Sequence, residues 1–248
     1  MTTIGTLAQQ NSMLQALLQL RGQANDLQAQ VSTGLKSQDF SGLGLSATRV
    51  TSLQGAIAHN QAYLDSIDTV QQRIQEQSTV LTTIQKVTQQ FRELLPDGAF
   101  NSSPTDIQTQ AKALMQELND FINTNDGGRY LFSGSLTATQ PFDTASLPVP
   151  GTLAAAVNGA VPAGYYAGNG VVAQARIDDN VTVSYGVTAD NSSIEKIVRV
   201  VNYLANLPAG SPNANNAADV AAMNQAATLM DQGIQGLQQL QGTMALQT

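Results

Sequence analysis

Between Val50 and Leu95 an uncharged or apolar residue recurs every three or four positions: Val50, Leu53, Ile57, Asn60, Leu64, Ile67, Val70, Ile74, Gln77, Leu81, Ile84, Thr88, Phe91 and Leu95. This spacing is the seam of a coiled coil, overwound once by consecutive three-residue steps around Ile67. Neither Gly nor Pro falls between Gly55 and Pro96, so no helix breaker interrupts the run. At ~1.5 Å per residue, a helix from Leu45 to Leu95 is roughly 75 Å long. A compact globule of this chain length has a diameter of about 45 Å. The helix does not fit inside one, so the chain is expected to be a rod or to contain one.

Other amphipathic segments follow the same rule. Ser103-Pro104 reads as an N-cap with Pro at the first helical position, ahead of Ile107, Ala111, Leu114, Leu118 and Phe121 on one face. Ser192 and Glu195 have capping-box spacing before Ile194, Val198, Val201 and Leu204. A last helix carries Val220, Met223, Ala227, Met230, Ile234, Leu237, Gln241 and Met244, with no stop signal before Thr248. At the front, Leu7, Leu14, Leu17, Leu20, Ala24, Leu27 and Val31 predict a further helix, weakened at Gly22. The apolar seam residues Val50, Leu53, Ile57, Leu64, Ile67, Val70, Ile74, Leu81, Ile84 and Phe91, with Leu114, Leu118, Val220, Met223, Met230, Ile234 and Leu237, are the expected rod core.

From Asp126 to Asp190 the heptads vanish and Gly, Pro, Ala, Thr and Val take over. Asp126-Gly127-Gly128 is a turn signal before the β-prone run Arg129-Tyr130-Leu131-Phe132. Ala173–Ile177 and Val181–Tyr185 flank Asp178-Asp179-Asn180 and read as a hairpin with a three-residue loop. The predicted class is therefore α+β: an elongated antiparallel helical rod, coiled-coil-like, with a small β-rich domain inserted. The expected divisions are a flexible N-terminal segment over 1–38, a rod over 39–135 plus 191–248, and the β-rich outer domain over 136–190.

Composition removes most chemistry. The chain of 248 residues has no Cys and one His, His59, which excludes disulfides, thiolate metal sites and His-pair zinc motifs. A formal net charge of -7 argues against nucleic acid, and no apolar run approaches the ~18 residues of a membrane span. The sequence sets no second His, Cys or nucleophile signature beside His59, which reads as a polar helix-surface residue rather than a general base. Asp65 and Asp68 read as solvated helix residues, and Asp178-Asp179-Asn180 reads as turn chemistry lacking a calcium ligand set. Gly164–Gly170 has no following Lys-Ser/Thr to cradle a phosphate. No catalytic residue, metal site or cofactor is expected. Met1–Gln10 has no basic, apolar or cleavage region of a secretory signal.

The outer faces of the long helix are unusual. They carry Gln54, Gln61, Ser66, Thr69, Gln72, Gln75, Thr79, Thr82, Thr83, Gln85, Gln89 and Gln90 in place of Glu–Lys pairs, and only 12% of the chain is charged. Neutral amides and hydroxyls desolvate at lower cost than charges. Such faces suit lateral packing against copies of the chain or a partner.

Two segments carry a family resemblance. Val31-Ser32-Thr33-Gly34-Leu35-Lys36 resembles the end of the N-terminal helix of the flagellin superfamily. Asn123-Thr124-Asn125-Asp126-Gly127-Gly128-Arg129-Tyr130-Leu131-Phe132-Ser133-Gly134-Ser135, followed by Thr139-Gln140-Pro141-Phe142, resembles the hook–filament junction branch, hook-associated protein 3. Its most specific part is Gly128-Arg129-Tyr130-Leu131-Phe132-Ser133-Gly134. The resemblance implies a non-enzymatic flagellar component that joins hook to filament. It further implies copies of the chain in a ring, hook-associated proteins and flagellin as neighbours, and an export chaperone. Export through the flagellar type III channel would lead to an extracellular destination. Leu7, Leu14, Leu17, Leu20, Leu27 and Val31 are the expected assembly residues. A filament flagellin and a secreted type III binding module are the alternatives. Two departures stand out. Ser37–Ser46 is Gly-rich without the acidic pattern common in the family, and the last helix stops where members continue into a segment that pairs with the first. Without that partner, Leu7–Val31 is expected to be disordered.

Overall fold

A computed structural model describes residues 2–37, 44–95, 104–147, 164–207 and 212–247. The elements in chain order are α1 (Thr2–Thr33), α2 (Ser46–Arg92), α3 (Pro104–Ile122), β1 (Asn125–Asp126), β2 (Arg129–Tyr130), β3 (Ala173–Asp178), β4 (Val181–Tyr185), α4 (Ser192–Ala205) and α5 (Ala217–Ala245). The class is α+β, mostly helical, with two small antiparallel sheets. By contacts the chain divides into two units, Met1–Ala62 and Tyr63–Thr248.

The first unit contains α1 and the beginning of α2. Every described side chain from Leu7 to Ala29 is exposed. Thr2–Thr33 is nevertheless helical, where a partnerless segment was expected to be disordered. Its Leu, Ala and Gln residues are all strong helix formers.

The second unit holds the core. From Ile74 onward every seam position of α2 is buried, Ile74, Gln77, Leu81, Ile84, Thr88 and Phe91, as is Leu95 just beyond its end. α5 runs antiparallel to this half of α2. Arg92 makes a bidentate ion pair with Asp231 (3.0 and 3.1 Å), Gln241 Nε2 donates to Thr82 Oγ1 at 3.4 Å, and Ile74 and Met244 line one groove. α4 packs against both α3 and α5 and buries eleven of its fourteen residues. Gly233 permits the close approach of α5 to α4, because a Cβ there would lie 2.6 Å from Ile197 Cγ1 and 2.9 Å from the Ser193 carbonyl oxygen.

Several expectations need correction. The rod core does not extend over the first half of the seam: Val50 is only half-buried, and Leu53, Ile57 and Leu64 are 55%, 67% and 54% exposed. Ile67, Val70 and Val220 are half-buried as well. Periodicity marks the apolar face of a helix, whereas burial requires a second element, and α5 lies along α2 from Ile74 to Arg92. The remaining core residues, Leu114, Leu118, Met223, Met230, Ile234 and Leu237, are buried. Asn191, not Ser192, is the N-cap of α4: its side chain accepts from Ser193 N at 2.9 Å. Glu195 turns instead to Arg199 one turn on, at 2.7 Å. Of the β-prone run only Arg129–Tyr130 is strand, since Leu131–Ser135 leaves the sheet in successive turns. The β3–β4 hairpin pairs Asp178 with Val181, with a register irregularity between Arg176 and Asp178, so its loop is Asp179-Asn180. Ser103 lies outside the described residues, as do parts of the expected outer domain.

Candidate functional site

Among the described residues no group of three or more His, Cys, Asp or Glu is arranged to hold a metal, and no helix is long and apolar enough to cross a membrane. His59, Asp65 and Asp68 are exposed on α2. Asp178 Oδ1 accepts from Asp179 N at 2.7 Å, a local turn bond, and Asp179 Oδ1 accepts from Tyr63 of α2 at 2.9 Å. These bonds tie the hairpin tip to the long helix. They converge on no reacting group.

The segment Gly128–Gly134 has a structural task. Arg129 and Tyr130 pair back on Asp126 and Asn125 across a Gly127-Gly128 turn, and Phe132 and Ser133 then plunge into the core. The side chain that holds them is Gln77, buried on α2. Its Nε2 donates to the Leu131 carbonyl and, at 3.4 Å, to that of Val187, while its Oε1 accepts from Val187 N at 3.1 Å. One amide thus joins the turn at Leu131 to the backbone at Val187, just after β4. The neighbouring Gly186 has φ 83°, and a Cβ there would meet Gln77 Oε1 at 2.6 Å, so the approach requires glycine.

Further bonds close the knot. Ala189 N donates to the Phe132 carbonyl at 3.0 Å, and Asn169 N to that of Ser133 at 3.2 Å. Asn169 Oδ1 accepts from Ser135 N at 2.9 Å. Gly134 has φ 70°, and a Cβ on it would approach Asn169 Oδ1 at 2.5 Å. Asn123 grips Phe142 at both backbone groups, at 2.9 and 3.1 Å, and the Phe142 ring meets Tyr165 edge-on at 5.7 Å. Tyr165 donates its hydroxyl proton to the Ala189 carbonyl at 2.5 Å. Burial, reinforced by the charges of Glu195 and Asp190, pushes this phenol well above the ordinary tyrosine range. Sequence reading missed Gln77, Asn123, Asn169 and Tyr165 as a set. The one available signal was a glutamine at a seam position.

The expected assembly residues share another property. On α1, Leu7, Leu14, Leu17, Leu20, Leu27 and Val31 are all exposed, from 58% to 85%, and Met13 and Leu18, which spacing did not single out, join them. With Leu53 and Ile57 on α2, the first unit displays far more apolar side chain than the scattered singles of an ordinary soluble surface.

The family model of the bacterial flagellin N-terminal helical region matches residues 4–137, more than half of the chain. The chain belongs to the flagellin superfamily. Among solved structures, one described as a flagellar hook-associated protein of Vibrio parahaemolyticus is similar at 18% identity. That match covers 86% of this chain and 92% of that one, with a TM-score of 0.55. FlgL of Bacillus cereus is similar at 14% identity over 81% and 91% of the two chains, with a TM-score of 0.54. These likenesses are of fold. No curated protein matches by sequence. Within the superfamily match lie nearly all of α1, all of α2 and α3, and the Gly128–Gly134 turns, so the exposed helix and Gln77 with its Leu131 contact fall inside the family's region, whereas Val187 lies beyond it.

Proposed function

We propose that this flagellin-superfamily chain is a non-enzymatic structural component that joins hook to filament in the bacterial flagellum, at an extracellular site reached by the flagellar type III export route. The observation that carries the reading is the exposed apolar face of α1, from Leu7 to Val31. Within proteins most helical stability comes from packing an amphipathic face, so this face calls for neighbouring subunits. Copies of the chain in a ring, other hook-associated proteins and flagellin would supply that packing, with an export chaperone covering the face beforehand. Residues 1–38 act as the assembly segment, 39–135 with 191–248 as the rod, and 136–190 as the outward region, with no catalytic duty.

Immunogold microscopy of flagella from the native organism, with antibody raised to residues 136–190, tests the assignment. Label confined to the boundary between hook and filament supports it. Label along the whole filament makes the chain a flagellin, and unlabelled flagella in expressing cells reject both in favour of a secreted binding module.

A further inference from the structure

Three Asn-x-Ser/Thr triplets occur in the chain: Asn101-Ser102-Ser103, Asn180-Val181-Thr182 and Asn191-Ser192-Ser193. Each is the minimal acceptor of an asparagine-linked sugar, whose bulk needs a surface position. The sequence does not rank them, but the fold does. Asn101 lies outside the described residues. Asn191 is half-buried beside the buried Ser193, and its side-chain oxygen caps α4 by accepting from Ser193 N at 2.9 Å. A sugar on its Nδ2 would crowd Ser193 and disturb a cap worth about 1 kcal/mol.

Asn180 is placed the other way. It sits in the two-residue loop between β3 and β4, and Asp178, Asp179, Asn180, Val181 and Thr182 are all exposed. Neighbours hold the tip. Arg176 Nε donates to the Asp178 carbonyl at 3.2 Å and its Nη2 to that of Asp179, while Tyr63 donates to Asp179 Oδ1 at 2.9 Å. Among the described residues, the Asn180 side chain itself makes no hydrogen bond, so both protons on its Nδ2 are free. Alternate residues of a strand face opposite sides, and along β4 Thr182 and Ser184 are exposed whereas Val183 is half-buried. The Asn180 amide at the tip and the Thr182 hydroxyl on the outer face of β4 are therefore both open to one enzyme. We infer that Asn180 is the attachment site of an asparagine-linked glycan, supplied by a glycosyl diphosphate and a glycosyltransferase of the native organism. Asn180 Nδ2 bonds to the anomeric carbon of the sugar as the bond from that carbon to the diphosphate oxygen breaks. The diphosphate departs with the electron pair, and the amide proton passes to a base of the transferase. The hairpin keeps every bond that holds its tip, because none of them uses the Asn180 side chain. The inference stands on the hairpin alone and is independent of the hook–filament reading.

The test uses the full chain purified from cells of its native organism. Trypsin, cutting after Arg176 and Lys196, releases residues 177–196, which contain both Asn180 and Asn191. The second triplet is thus an internal control. Mass spectrometry, with a fragmentation that preserves glycosidic bonds, should find this peptide heavier by a whole number of sugar residues, all on Asn180. Asn180→Gln and Thr182→Ala should each abolish the added mass, with circular dichroism unchanged from wild type. A peptide of unmodified mass from native cells overturns the inference. So does added mass on Asn191 or on a Ser, Thr or Tyr hydroxyl, and so does added mass that survives either substitution. None of these outcomes bears on where in the flagellum the chain resides, which the antibody labelling tests separately.

Discussion

Thr88 is the one side chain among the described residues whose buried polar atom has no hydrogen-bond partner. It occupies a seam position of α2 at 0% exposure, so its hydroxyl is desolvated without return. Thr88→Val keeps the shape and removes the hydroxyl. It should stabilise the fold by about 1 kcal/mol, a rise in melting temperature of about 2–4 °C for a protein of this size. Gln77 is the opposite case, a polar seam residue with every bond made. Gln77→Leu would orphan the Leu131 and Val187 carbonyls and the Val187 N–H, for a loss of about 3 kcal/mol in a denaturant melt. Tyr165 makes stability depend on pH in a known direction. Its folded pKa is raised, so stability is fully present below the unfolded value of about 10. Above that pH only the unfolded state releases the proton, and stability should fall by up to about 1.4 kcal/mol per pH unit. Tyr165→Phe should flatten that slope; an equally steep alkaline decline would contradict the assignment to Tyr165.

At the scale of elements, α2 is two helices in energetic terms. Leu81→Asp puts a charge among apolar side chains and should cost more than about 4 kcal/mol. Ile57→Asp, at an exposed position with the same heptad phase, should change the thermal melt by no more than about 0.5 kcal/mol. The same Ile57 variant should fail to enter flagella if the first unit packs against neighbouring subunits, which antibody labelling of complemented cells would reveal. The heptads made both positions legible as seam, and the helix bounds were readable from the absence of Gly and Pro. Which half is covered was not readable, because that depends on where α5 lies along α2. The N-cap at Asn191 was similarly ambiguous: Asn191, Ser192 and Ser193 are all capping residues, and Glu195 was drawn away from a capping box by Arg199. The Gly128–Gly134 segment was recognisable by resemblance, but its partners Gln77, Asn169 and Val187 are far away in sequence and no local rule links them.

For the whole molecule, the division at Ala62/Tyr63 makes a further prediction. Among the described residues the core lies entirely in the second unit, so deleting residues 1–62 should leave a cooperative fold with nearly the full melting temperature while abolishing incorporation into flagella. A deletion that melts without cooperativity would mean that the first unit contributes to the core. Legible in the sequence were the α+β class, the long helix, the hairpin after residue 173, the absence of Cys chemistry and the superfamily. Each of these rests on local periodicity, composition or a contiguous motif. Tertiary structure alone decided which seam residues are buried and that Gln77 joins Leu131 to Val187. Those facts require segments more than fifty residues apart to meet, and a one-dimensional pattern records which face of an element is apolar without recording what comes to cover it.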